Sequence, residues 1–107
     1  MADNAQAEGT FVIGVRNFIE DVDAAACALL GYSKSELVGL HGSELVLFED
    51  QPSTAASIDR MRHGEVAFRI SRLRCKDGSV IGVEVRAQRL PDGRLALSVR
   101  KHLGPEG

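Results

Sequence analysis

Apolar residues recur along this chain with two different periods, and the switches between them divide it into three parts. Near the N-terminus, residues 10–15 (TFVIGV) and 17–20 (NFIE) are short runs of aromatic and β-branched residues, which predict a first hairpin turning at Arg16-Asn17. From Asp23 the pattern becomes helical. DAAACALL is a run of helix formers behind an N-capping aspartate, and Gly31 is placed to end it in the left-handed conformation. Ser33 stands three residues before Glu36, a capping-box spacing that starts a second, short helix closed by Gly39. The apolar stretch SELVLF adds one more turn. Asp50, Pro52 and Ser53 then mark the start of a longer helix through Arg62, with Ala55, Ile58 and Met61 or Arg62 at helical spacing, stopped by His63-Gly64. The last third returns to strand character. EVAFRISRLRC and SVIGVEVRAQRL flank Lys76-Asp77-Gly78, and Pro91-Asp92-Gly93 turns into RLALSVRKH. The sum is an α+β domain: a five-stranded antiparallel sheet with a short helical insert packed on one face.

The turn at Lys76-Asp77-Gly78 leaves two registers open. With a two-residue loop, Ile81, Val83 and Val85 share a face with Arg74, Arg72 and Ile70, and Arg69 lies outside. A three-residue loop with glycine in a bulge instead places Leu73, Ser71 and Arg69 on that face, leaving Val66, Phe68 and Ile70 outside. Turn chemistry favours the second, and the count of apolar residues favours the first. A guanidinium turned inward requires an anionic ligand or a carboxylate such as Glu36, Glu44 or Glu49.

Length and charge narrow the picture without adding chemistry. The 107 residues match one domain, with residues 1–9 read as a loose arm, 10–102 as the folded unit and 103–107 as a tail. A net charge of −2 gives no global reason to expect nucleic acid. The local run Arg60, Arg62, Arg69, Arg72, Arg74 and Lys76 reads as a solvated face. No apolar segment is long enough to cross a bilayer and no secretory leader is apparent, so a cytoplasmic protein without membrane contact is expected. Of the two cysteines, Cys27 reads as a small buried hydrophobe in an alanine-rich helix and Cys75 as a partly exposed thiol beside a turn. The three histidines have no ligand spacing, so no metal site is expected. No nucleophile, base and orienter fall together, and this domain alone is not expected to be an enzyme.

DAAACALLGYSKSELVG, MRHGE, RCKDGS and LPDGR, in this order and at these separations, resemble a PAS domain across residues 10–101. That family comprises sensory modules of histidine kinases, transcription regulators and cyclic-dinucleotide enzymes. The usual Asp-x-x-Gly turn between the first two strands is missing here, which points to a short or shifted second strand. The resemblance implies a cavity between the helices and the sheet that senses a small molecule. The candidate lining is Leu45, Phe48, Ile58 and Met61 from the insert, with Arg69, Val83, Val85, Leu97 and Val99 from the strands.

The same resemblance speaks against the familiar cofactors. Heme-binding members place a histidine early in the helix before the third strand. The matching position is near Ser53, and no histidine lies between Pro52 and Arg62. His63 at the helix end suits a role at the last carbonyls. Covalent flavin binders carry Asn-Cys after a glycine, where this chain reads Gly39-Leu40-His41-Gly42. An unidentified small organic ligand is therefore the expectation. The implied partners are a second copy of the domain, docked through the sheet face, and an effector domain in a longer parent protein. The alternative is a ligand-free homodimerisation module.

Overall fold

The computed structural model describes residues 8–65 and 67–102. Its sheet comprises β1 (Glu8–Ile13), β2 (Ile19–Val22), β3 (Phe68–Arg74), β4 (Val80–Arg89) and β5 (Leu95–Lys101), all antiparallel, in the spatial order β2-β1-β5-β4-β3. Between β2 and β3 lie α1 (Ala24–Leu30), α2 (Lys34–Leu37), two 3-10 turns (Gly42–Leu45 and Phe48–Asp50) and α3 (Gln51–Arg62). β1 begins two residues before the expected edge of the folded unit. Residues 1–7, the tail 103–107 and Val66 lie outside the described residues.

The insert obeys its sequence signals closely. The Asp23 carboxylate accepts hydrogen bonds from the Ala26 N–H at 2.9 Å and the Thr10 N–H at 3.0 Å, so the cap of α1 also ties the helix to β1. Gly31 has φ of 83°, and the following turn is short because Ser33 and Glu36 form the full capping box of α2. Asp50 departs from expectation: its side chain caps nothing in α3 and instead pairs with Arg72 at 2.9 Å.

The first hairpin is displaced. Its strands start and end further from Arg16 than the apolar runs suggest, because Gly14 to Asn17 are consumed by the turn: the Asn17 N–H bonds to the Gly14 carbonyl at 2.9 Å. Asn17 takes φ of 71°, which an asparagine tolerates better than most residues. β2 is accordingly only four residues long, the short, shifted strand that the absent Asp-x-x-Gly motif implied.

Alternation places Phe11 and Ile13 of β1, Leu95, Leu97 and Val99 of β5, and Val83 and Val85 of β4 on the face that the helices cover. At one end of this face the packing is very close. A Cβ on Gly9 would stand 2.4 Å from Ala26 Cα, so only glycine lets α1 settle on the sheet here. Leu30, Leu37 and Val83 are buried behind it.

Candidate functional site

The direction of Arg69 is decided by the β3–β4 turn. The Cys75 N–H bonds to the Ser79 carbonyl at 2.8 Å, and the Gly78 N–H to the Cys75 carbonyl at 3.0 Å, with Gly78 at φ 92°. Lys76-Asp77-Gly78 is thus a three-residue loop, with Arg69 opposite Val85, Ser71 opposite Val83 and Leu73 opposite Ile81. Arg69 and Ser71 face the helices, whereas Phe68 and Ile70 stand 42% and 48% exposed on the other side.

Between α3 and these strands lies a cavity of about 70 Å³. Six of the nine residues proposed from sequence line it: Leu45, Ile58, Met61, Arg69, Val85 and Leu97. Three do not. Phe48 is 80% exposed, because it opens a 3-10 turn beyond the edge of β3 rather than over the sheet. Val83 and Val99 are buried but lie toward α1: Val99 pairs with Gly9, the residue on which Ala26 rests, and Val83 pairs with Lys101 at the far end of β5.

Sequence reasoning missed the polar corner of this cavity. Thr54 is 93% buried by the complement of its 7% exposure, and its Oγ1 has no hydrogen-bond partner among the described residues. Ser57 lies one turn further along α3 and Ser71 across on β3, both lining the same space. The signal was present in the spacing: Thr54, Ile58 and Met61 are the buried positions of α3, at i, i+4 and i+7. The helical spacing read through Ala55, Ile58 and Met61 does not include Thr54. Phe11, Ile13 and Ile19 contribute an apolar wall from β1 and β2.

Arg69 finds no carboxylate within ion-pair distance among the described residues. One of its Nη groups donates to the Ser53 carbonyl at 3.3 Å and to the Ser57 hydroxyl. The three glutamates considered as partners are engaged elsewhere. Glu36 holds Lys76 at 2.6 Å, Glu44 accepts from the His41 N–H, and Glu49 lies 3.9 Å from Arg72. The Lys76 ammonium and the Ser33 N–H together keep the Glu36 carboxyl below the usual carboxylate range.

Of the other cations in the basic run, Arg60, Arg72, Arg74 and Lys76 are exposed, as a solvated face requires, and Arg62 is half-buried. Arg62 at the end of α3 donates to the carbonyls of Gly93 and Gly14 and to the Asn17 side chain, pinning the helix to two turns of the sheet. At the opposite end Arg72 grips Asp50, and Arg74 donates to the Val46 carbonyl at 3.2 Å. Val46 also bridges to Leu73, covering part of the free edge of β3. α3 is therefore anchored at both ends above the cavity.

None of the residues lining the cavity is a histidine or a cysteine. His63 bonds to the Asp59 carbonyl of its own helix at 2.9 Å, and the His41 ring packs edge-on against Phe18. The cysteines reverse their expected environments. Cys75 is buried under the α1 C-terminus, where the Lys76 N–H reaches the Leu30 carbonyl, and Cys27 is only partly covered. Among the described residues no group of three or more metal-ligating side chains exists, and no helix is long and apolar enough to cross a membrane.

The fold and its sequence have clear relatives. The family model for the PAS fold matches residues 19–96. A domain of a sensory box sensor histidine kinase/response regulator from Geobacter sulfurreducens is similar at 29% identity with a TM-score of 0.81, covering 88% of this chain and 82% of that one. The PAS domain of an HTR-like protein from Haloarcula marismortui shares the fold at 24% identity and a TM-score of 0.73, with 89% and 86% covered. So does a PAS domain from a two-component sensor histidine kinase, at 20% identity and a TM-score of 0.76, with 92% and 89% covered. No curated protein matches the chain. With the family match spanning most of its length and the sheet order, helical insert and cavity all in place, the chain belongs to the PAS family.

Proposed function

We propose that this domain is a sensory module that takes a small organic molecule into the cavity beneath α3. The observation that carries the reading is the buried Thr54 hydroxyl without a partner, beside an inward-facing Arg69 at the edge of a void. Polar groups are expensive to bury unsatisfied, and a ligand that accepts their hydrogen bonds removes that cost. A ligand that prefers one packing of α3 on the sheet shifts the domain toward it. The absence of histidine and cysteine from the lining supports a ligand other than heme or covalently held flavin. The domain itself performs no chemistry in this reading. The Geobacter relative is part of a sensor histidine kinase/response regulator, and on that likeness we read this domain as the input of a longer signalling protein. Its two free cysteines suit a reducing, cytoplasmic setting.

Native mass spectrometry of the protein as purified from cells tests this directly. A bound species lost on Ile58→Trp, which fills the cavity, supports it. A ligand-free protein whose stability is unmoved by a panel of small metabolites rejects it.

A second reading concerns the outer sheet face, where Phe68 and Ile70 are exposed side by side with Arg86 stacked 5.2 Å from the Phe68 ring. These side chains support a homodimer formed through that face. Light scattering should find a dimer at micromolar concentration and a monomer for Phe68→Ser/Ile70→Ser; a wild-type monomer rejects this reading.

A further inference from the structure

The polar corner of the cavity is one-sided in its chemistry. Thr54 Oγ1 lacks a partner. The Ser57 hydroxyl accepts from Arg69, which leaves its own proton free to donate. Arg69 has only one Nη committed among the described residues, so its other N–H groups remain available. Ser71 adds a hydroxyl that is nine-tenths buried. The corner therefore offers several donors and a fixed positive charge, with no carboxylate among its lining residues to receive them. An ionised carboxylate is the complementary group. It accepts at about four positions on two oxygens, and bonds to a guanidinium in paired, planar fashion.

The rest of the cavity is apolar: Phe11, Ile13, Ile19, Leu97 and Val85 surround it. A dicarboxylate or phosphate would bury a second charge against these side chains without compensation. Size sets the tail. A cavity of about 70 Å³ is only several times the ~10–15 Å³ that a single water needs, which favours a short tail such as that of propionate, butyrate or valerate.

Resting on the reading that the cavity takes a small molecule, we infer that its ligand class is the short-chain aliphatic monocarboxylate, head group on Arg69, Thr54 and Ser57 and tail among the residues of β1 and β5. Arg69 supplies charge and orientation. Thr54 supplies the buried donor that distinguishes an acceptor from a methyl group.

The test is a titration of the 107-residue chain with sodium butyrate, butyramide, n-butanol and sodium octanoate, followed by amide NMR shifts and calorimetry. Butyrate is expected to shift the Thr54, Ser57 and Ser71 amides saturably and to bind more tightly than the other three. Arg69→Gln is expected to weaken butyrate about 10- to 100-fold, the range for loss of a charged hydrogen bond, and to weaken butanol less, since butanol carries no charge. Thr54→Val keeps shape and packing, and is expected to weaken butyrate about 10-fold. Butyramide binding as tightly as butyrate, or Arg69→Gln binding butyrate like the parent, overturns the carboxylate assignment and leaves the cavity reading standing. Octanoate binding more tightly than butyrate overturns the assigned tail length. Failure of butyrate to perturb the cavity overturns the monocarboxylate class, whereas the cavity reading falls only if the protein purified from cells also carries no bound species.

Discussion

The inner face of the sheet is packed in two different ways. At the α1 end the backbone of Gly9 meets Ala26 so closely that no Cβ fits, and Leu30, Val83 and Val99 close around the contact. At the α3 end the strands continue the same alternation, yet the helix brings Thr54 and Ser57 where α1 brings alanine and leucine, and a void remains. The sheet is common to both ends. The difference lies in the helix residues, and it teaches that this fold keeps its tight packing and its open space under separate helices. Leu30 and Ala26 hold the scaffold while α3, fastened by Arg62 and Arg72 at its two ends, spans the opening.

The largest expected effect is at the closed end. Leu30→Ala, at a side chain 1% exposed, should cost about 4 kcal/mol in urea unfolding, because the closely packed surroundings cannot collapse into the space. An equal cost for Ile58→Ala would break the contrast; the existing void beside Ile58 should limit that loss to about 2 kcal/mol. Next is Gly9→Ala, where the added carbon meets backbone atoms that cannot rotate away, with an expected loss of about 2 kcal/mol. Thr54→Val should act in the opposite direction: replacing an unpartnered buried hydroxyl by a methyl group of the same shape should stabilise the ligand-free domain by about 1 kcal/mol. Destabilisation by that substitution would mean that the hydroxyl is satisfied in solution.

The smallest effect is electrostatic and belongs to the closed end as well. The Glu36 carboxyl is lowered chiefly by its hydrogen bond to Lys76, which joins α2 to the β3–β4 turn. A carboxyl that ionises more readily when folded stabilises above its unfolded value, and this contribution fades as pH falls through the lowered folded value. The Glu36 side chain followed by NMR should therefore titrate below the ordinary carboxylate range. Lys76→Ala should move it back upward and flatten the acid limb of stability; an unmoved titration would show that Lys76 does not hold it.

Much of the fold was legible because its signals are local. Asp23, Gly31 and the Ser33–Glu36 box act within one turn of helix, and each did what its spacing implies. Gly78 likewise carried the bulge that decided which face Arg69 takes, although the sequence left two registers standing. The cavity was legible in part. Arg69, Leu45, Ile58, Met61, Val85 and Leu97 line the space that the resemblance implied, with Arg69 resting on a register the turn left open, but neither resemblance nor period says how far along a sheet each helix reaches. Val83 and Val99 were therefore assigned to the cavity although α1 covers them, and Phe48 although it lies past the edge of β3. Thr54 does not stand out in the sequence because helical period alone does not mark a threonine as buried until the helix is seated on the sheet.

The sequence by itself determined the order of elements, their caps and turns, and the family to which they belong, since these depend on neighbours within a few residues. Only the tertiary structure decided that Arg69 goes without a carboxylate among the described residues, that Thr54 is buried beside it, and that their space is small and otherwise apolar. Those properties arise where α3 crosses β3, from residues 12 to 17 positions apart whose separation in space no local rule sets.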